Sequence, residues 1–241
     1  MKDATNRTRL KYIDLIETCP GFPFDDRVRS HQESWCIILL VHYLLREIRV
    51  FTDGIRQVNI WLVNTELSDL SGVVPNFKSD RGSGFQGITN FVWRFDFKAY
   101  FDATAPDRSR VLCDAVESAM IALAEHRRWS QPEIREVFAR VRQADYCLKA
   151  DHTKACRSPD GKYQARVSYS VDREEFRIDV TVTRGRTDVV LQKTIYRGGP
   201  GMGLSVQRHL GKPHWTSPSE LAIPIEHNAA MPDGDVVIKV P

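Results

Sequence analysis

Apolar residues along the chain change their period several times, and each change predicts an element. The run Arg9–Glu17 (RLKYIDLIE) reads as a first strand, stopped by Cys19-Pro20-Gly21. Ser30-His31-Gln32-Glu33 has the spacing of a capping box, in which Ser and Glu side chains satisfy the first free N–H groups of a helix. It predicts a helix from about His31 to Thr52, stopped by Gly54. That helix is apolar on most sides through Trp35–Leu45 (WCIILLVHYLL), which places it at the centre of a fold. Gln57–Val63 (QVNIWLV) predicts a second strand. The polar, glycine-containing stretch Glu66–Asn90 that follows is long for a connection, and loops of that length usually carry function or are disordered. In Phe91–Phe101 (FVWRFDFKAYF), Phe91, Trp93, Phe95, Phe97 and Ala99 alternate with Arg94, Asp96 and Lys98, which predicts a half-buried strand.

Two helices come next. Thr104 caps the first, with Pro106 in its opening turn and a stripe of Val111, Leu112, Ala115, Val116, Ala119 and Leu123. A second capping box, Ser130-Gln131-Pro132-Glu133, opens a helix to about Gln143 that turns Ile134, Val137, Phe138 and Val141 inward, so the pair forms an αα-hairpin. Beyond residue 145 the period becomes two. KYQARVSYSV, EFRIDVTVTR and DVVLQKTIYR are separated by turns at Asp172-Arg173-Glu174 and Arg184-Gly185-Arg186, and LAIPI and DVVIKV supply shorter strands. The expected fold is α+β: a mixed helix/strand part with the hairpin over 1–145, then a mainly antiparallel meander over 146–241, as two parts or one continuous domain.

Composition narrows the classes. With 241 residues, 42% hydrophobic and 27% charged, the chain has ample material for a core. Its net charge of +3 is spread evenly, so no polyanionic partner is demanded. Five scattered cysteines without a C-x-x-C point to reduced thiols. Trp35–Leu45 falls short of the ~20 residues that span a bilayer, and MKDATNRTRLK lacks an apolar signal core. A cytoplasmic protein without membrane contact is expected.

Candidate chemistry is sparse. Gly198, Gly203 and Ser205 in GGPGMGLS match the spacing of a phosphate-binding loop, but Leu204 stands where its lysine must be. An alkyl group cannot neutralise phosphate, and the residues that follow break helices, so a turn is expected. Cys147, His152 and Cys156 form C-x₄-H-x₃-C without a nearby fourth Cys or His, whereas structural zinc takes four ligands. Neither G-x-S-x-G nor H-E-x-x-H occurs, and His209 and His214 stand in a predicted loop. No catalytic residue, cofactor-binding residue or metal ligand is therefore assigned, and no enzyme activity is expected.

Two family resemblances remain. Leu123–Phe138 (LAEHRRWSQPEIREVF) resembles the helix-turn-helix of bacterial DNA-binding proteins through Ala124, Trp129, Ser130-Gln131-Pro132, Ile134 and Val137. The resemblance implies a groove-facing row of Gln131, Glu133, Arg135 and Glu136. Arg127 departs from the pattern at an apolar position, and Arg128 at the turn glycine. From about residue 91 to 217, the order of elements resembles immunity proteins of bacterial toxin–immunity systems: WRFDFKAYFDA, RVLCDAVESAMIALAEHRRWS, KACRSPDGKYQARVSYSV and LGKPHWTSP. That resemblance implies a non-catalytic cytosolic protein that neutralises a cognate toxin by direct binding. Many such proteins are acidic and this chain is slightly basic, which points away from a nuclease target. A protein partner is the first expectation, with the irregular segment Glu66–Asn90 as its contact surface. A DNA-binding regulator using the hairpin 107–143 is the alternative. Sequence does not specify the oligomeric state.

Overall fold

The first described strand, β1 (Thr8–Arg9), is followed by β2 (Tyr12–Thr18), the long helix α1 (Phe24–Glu47), β3 (Phe51–Thr52), β4 (Gln57–Asn64) and β5 (Ile88–Phe95). A short helix α2 (Phe97–Asp102) then leads into the hairpin α3 (Ala105–Arg127) and α4 (Gln131–Gln143). The computed structural model describes residues 7–19, 21–65, 87–202, 210–225 and 234–241. The chain divides into two compact units, Met1–Tyr146 and Cys147–Pro241.

In the first unit β2, β4 and β5 pair in parallel in that spatial order, and β1 pairs with β3. Parallel strands need a crossover, and α1 supplies the one between β2 and β4. The two faces of β4 differ. Val58, Ile60 and Leu62 are fully buried, whereas Gln57, Asn59 and Trp61 on the other face keep partial exposure. The unit's helices explain the difference: α1 packs on β2, α3 on β5, and α4 on both α1 and α3. Nearly every residue of Cys36–Leu45 is buried, in keeping with a helix apolar on most sides.

Two sequence expectations are corrected here. Helix α1 starts at Phe24 behind Pro23, with Asp25 and Asp26 in its first turn where the helix dipole favours acids. Ser30 and Glu33 therefore lie inside the helix and form no capping box; the Ser30 hydroxyl donates to the Arg27 carbonyl. The helix ends at Glu47 because Ile48 is extended and Phe51–Thr52 joins β1, so Thr52 belongs to a strand. The second correction concerns 91–101. The strand stops at Phe95, where the Asp96 side chain accepts the Ala99 amide and caps α2. Phe97 and Tyr100 are buried by that helical turn, and Ala99 lies on its exposed side.

The two helices form where their stripes predict, with Ile134, Val137, Phe138 and Val141 buried, but the expected caps do not: the Thr104 and Ser130 hydroxyls donate to the Asp107 and Glu133 carboxylates and accept no helix amide. Arg128 takes the left-handed conformation (φ 59°) that closes α3, a position glycine would occupy without strain. Arg142 ties the two helices together by pairing with Asp114 and Glu117.

The second unit contains β6 (Leu148–Asp151), β7 (Cys156–Arg157), β8 (Tyr163–Val171), β9 (Phe176–Arg184) and β10 (Asp188–Gly198), then a 3-10 turn at Pro200–Met202. These strands form an antiparallel sheet in the order β10-β9-β8-β6, with β7 also on β8. Alternation buries Ala165 and Val167 on β8, and Phe176, Ile178, Val180 and Val182 on β9. The Asp172 carboxylate accepts the amides of Glu174 and Glu175 to shape the first turn, and Gly185 supplies a positive φ in the second. A further antiparallel sheet is made by β11 (His214–Ser217), β12 (Glu220–Ile223) and β13 (Val236–Lys239). The fold is α+β, and no described helix is long and apolar enough to cross a membrane.

Candidate functional site

Strand register in the first unit assembles a row of polar side chains that lie far apart in sequence. Asp14, Asn59 and Asn90 are direct partners across the three parallel strands, so their side chains share one face. Gln57 Nε2 donates to Asp14 Oδ2 at 2.6 Å and to Asn59 Oδ1 at 2.9 Å. Asn59 Nδ2 donates to Asn90 Oδ1 at 3.0 Å, and Trp61 Nε1 donates to the same oxygen at 3.3 Å. Chemistry fixes the direction of this ladder at both ends. A carboxylate only accepts and an indole N–H only donates, so each amide between them has one orientation.

A cleft of about 290 Å³ opens beside the ladder, where α1 runs along β2. Asp14, Gln57 and Asn59 line one side and Ser34, Trp35 and Ile38 the other, with Leu15 and Ile16 between them. Helical spacing creates the second wall: His31, Trp35, Ile38 and His42 recur every three or four residues and form one stripe. His42 Nε2 lies 3.1 Å from the Ile13 amide nitrogen and 2.9 Å from its carbonyl oxygen, so the helix covers edge-strand groups that lack a strand neighbour. Burial lowers the pKa of His42 and keeps it neutral, although Asp14 Oδ1 is only 3.9 Å away.

At the other end of the stripe Trp35 Nε1 donates to His31 Nε2 at 2.8 Å, which leaves the His31 proton on Nδ1, 3.5 Å from Glu17 Oε2. This bond to Glu17 raises the pKa of His31. The Glu17 side chain is only 7% exposed, and its Oε1 is buried without a hydrogen-bond partner among the described residues.

A second carboxylate, Glu33, is buried in a different way. It receives the Tyr100 hydroxyl at 2.6 Å and two nitrogens of Arg108, the shorter contact being 2.8 Å, while Arg108 Nη1 donates to the Ala103 carbonyl. Both carboxylate oxygens are saturated, and the knot locks α1 to α2 and α3.

Three of the thiols are displaced towards inertness. Burial raises the pKa of Cys19 and Cys156 and pushes Cys113 up to about 12, whereas a nucleophilic thiol needs the opposite shift. Burial first, and then the charge of Glu33, likewise raises the Tyr100 phenol.

Among the described residues, those singled out by sequence do not converge on one site within either unit. His152 Nε2 contacts the Leu210 carbonyl at 2.9 Å, and Cys156 lies in β7 opposite Ala165. Among the described residues no cluster of three or more His, Cys, Asp or Glu could hold a metal. Gly198 ends β10, where an added Cβ would collide with the Tyr196 hydroxyl. Gly203, Ser205 and His209 lie outside the described residues. His214 is exposed in β11 rather than in a loop. Of the segment 66–90, residues 66–86 lie outside the described residues and Ile88–Asn90 open β5. In the hairpin, Trp129 is buried and donates to Asp53, which also pairs with Arg127. Arg127 thus fills an expected apolar position by reaching a carboxylate near β3. Arg135 contacts Gln131, and Arg140 pairs with Glu136 and Glu47.

The sequence reading missed the ladder. Asp14, Gln57, Asn59 and Asn90 are ordinary polar positions of three strands, and only parallel pairing makes them neighbours. No protein-family model, curated protein or solved structure matches this chain.

Proposed function

We propose that this is a non-catalytic binding protein, acting as an immunity protein does by occluding a protein partner, a bacterial toxin, through direct contact in the cytoplasm. The observation that carries the reading is the directed ladder Asp14–Gln57–Asn59–Asn90–Trp61 on the half-exposed sheet face. Pre-oriented amides and aromatic rings on a rigid sheet are well suited to recognition, because little rotamer freedom is lost when a partner docks. The raised pKa of Cys19, Cys113 and Cys156 favours binding over nucleophilic chemistry. The resemblance of residues 91–217 to toxin-immunity proteins supplies the class of partner.

The ladder face replaces the segment 66–90 as the contact surface we favour. The DNA-binding alternative through the hairpin 107–143 receives less support, because Arg140 and Arg142 are already paired with Glu136, Glu47, Asp114 and Glu117.

The test is reconstitution. A partner captured from nuclease-treated host extract is purified and mixed with this chain, and complex mass and partner activity are measured. A stoichiometric complex in which the partner's toxicity is suppressed supports the reading. A complex that leaves the toxicity intact, or the recovery of no protein partner, would overturn it.

A further inference from the structure

The cleft between α1 and the sheet has a one-sided inventory of hydrogen-bonding groups. Most of its donors are already engaged. Both protons of Gln57 Nε2 go to Asp14 and Asn59, the Ser34 hydroxyl donates to the His31 carbonyl, and the Trp35 indole N–H donates to His31. Asn59 Nδ2 keeps one proton beyond its bond to Asn90. Acceptors remain. Among the described residues neither Asp14 Oδ1, which lies 3.9 Å from the Nε2 of neutral His42, nor Gln57 Oε1 receives a hydrogen bond.

Charge points the same way. Among the described residues no Lys or Arg lines the cleft, and Asp14, with its side chain 40% exposed, is the carboxylate that does. The positive charge that acts on His42, behind Asp14, is that of Arg46 in the last turn of α1. Leu15, Ile16, Ile38 and the half-buried Trp35 complete the walls with apolar and aromatic surface. The volume of about 290 Å³ is at the lower end of ligand pockets and suits one long side chain.

We infer that this cleft is the seat of an arginine side chain presented by the protein partner, an inference that rests on the binding reading above for the source of the arginine. The guanidinium donates to Asp14 Oδ1 and Gln57 Oε1, its plane lies against Trp35, and its methylene stem covers Leu15 and Ile38. Arginine meets this demand better than lysine, because its flat fork of donors matches a carboxylate beside an amide oxygen and stacks on an indole. Carboxylate and carbonyl groups are disfavoured, since the described residues of the cleft offer them almost no free donor.

The test uses the full chain, ¹⁵N-labelled, titrated with N-acetyl-L-arginine amide while the Gln57 and Asn59 side-chain amides and the Trp35 indole N–H are followed by NMR. The neutral isostere N-acetyl-L-citrulline amide and free L-arginine are the comparison probes. Saturable shifts confined to these groups are expected with the arginine amide. Citrulline amide should bind about tenfold more weakly, and Asp14→Asn should lower arginine affinity by about the same factor. Absence of saturable shifts, equal binding of citrulline amide, or an Asp14→Asn variant that binds arginine amide unchanged would overturn the inference. Tighter binding of free L-arginine than of its capped form would also overturn it, because the natural ligand would then be a small molecule. These outcomes are independent of reconstitution. A neutralising complex that forms while the arginine probe fails would leave the binding reading standing without this anchor.

Discussion

Glu33 and Asp14 are carboxylates of the same unit, on neighbouring elements, and their surroundings differ in one respect that decides their roles. Glu33 is 6% exposed and receives Tyr100 and two nitrogens of Arg108, so no acceptor capacity is left facing anything but its own knot. Asp14 receives the Gln57 amide on one oxygen, lines an open cleft, and has a second oxygen to which no described residue donates. Saturation marks a group that holds helices together. Directed incompleteness at a half-exposed position marks a group that can hold something else.

The largest effect should come from breaking the knot. Arg108→Ala leaves the Glu33 carboxylate buried and unpaired, and unfolding experiments in denaturant should show a loss of about 3–5 kcal/mol. Tyr100→Phe removes one hydrogen bond to a charged acceptor and should cost about 1.5–3 kcal/mol by the same measurement. Asp14→Asn should behave in the opposite manner, with stability changed by no more than about 0.5 kcal/mol and partner affinity lowered about tenfold in calorimetry. A large stability loss for Asp14→Asn would erase the contrast.

The two histidines of the α1 stripe sharpen it at a finer level, because their shifts have opposite signs. His31 gains Glu17 as a partner and its folded pKa is raised, so its contribution is fully present below pH 6.5 and is lost as pH rises through the folded value. His42 is buried neutral with a lowered pKa, so its contribution is present above pH 6.5 and is lost as pH falls towards the folded value. Imidazole titration by NMR should find His31 above 6.5 and His42 below it. His31→Gln should weaken the protein on the acid side, and His42→Gln should remove part of its acid sensitivity.

Much of the second unit was legible because antiparallel strands announce themselves. The period-two pattern of Tyr163–Val171 and Phe176–Arg184, and the turns at Asp172 and Gly185, depend on residues a few positions apart. The hairpin was legible for the same reason, since its stripes are local. In the first unit the decisive partners are distant. Ser30 and Glu33 imitate a capping box, but Glu33 is claimed by Tyr100 and Arg108, and no local pattern encodes that claim. Aromatic alternation through Phe97 and Ala99 imitates a longer strand until Asp96 caps α2. The ladder was the least legible feature. Its members acquire meaning only when β2, β4 and β5 align in parallel, and in a parallel sheet a shift of one residue would move each to the other face. The cleft adds a wall from α1 whose spacing was visible and whose neighbour was not.

The most direct measurement is calorimetric titration of the purified partner into three chains: wild type, Asp14→Asn with Asn59→Ala, and Arg128→Ala with Arg135→Ala. Loss of at least about tenfold in affinity for the ladder variant, with wild-type affinity for the hairpin variant, is the predicted result. Wild-type affinity for the ladder variant and lost affinity for the hairpin variant would contradict it and move the contact surface to α3 and α4.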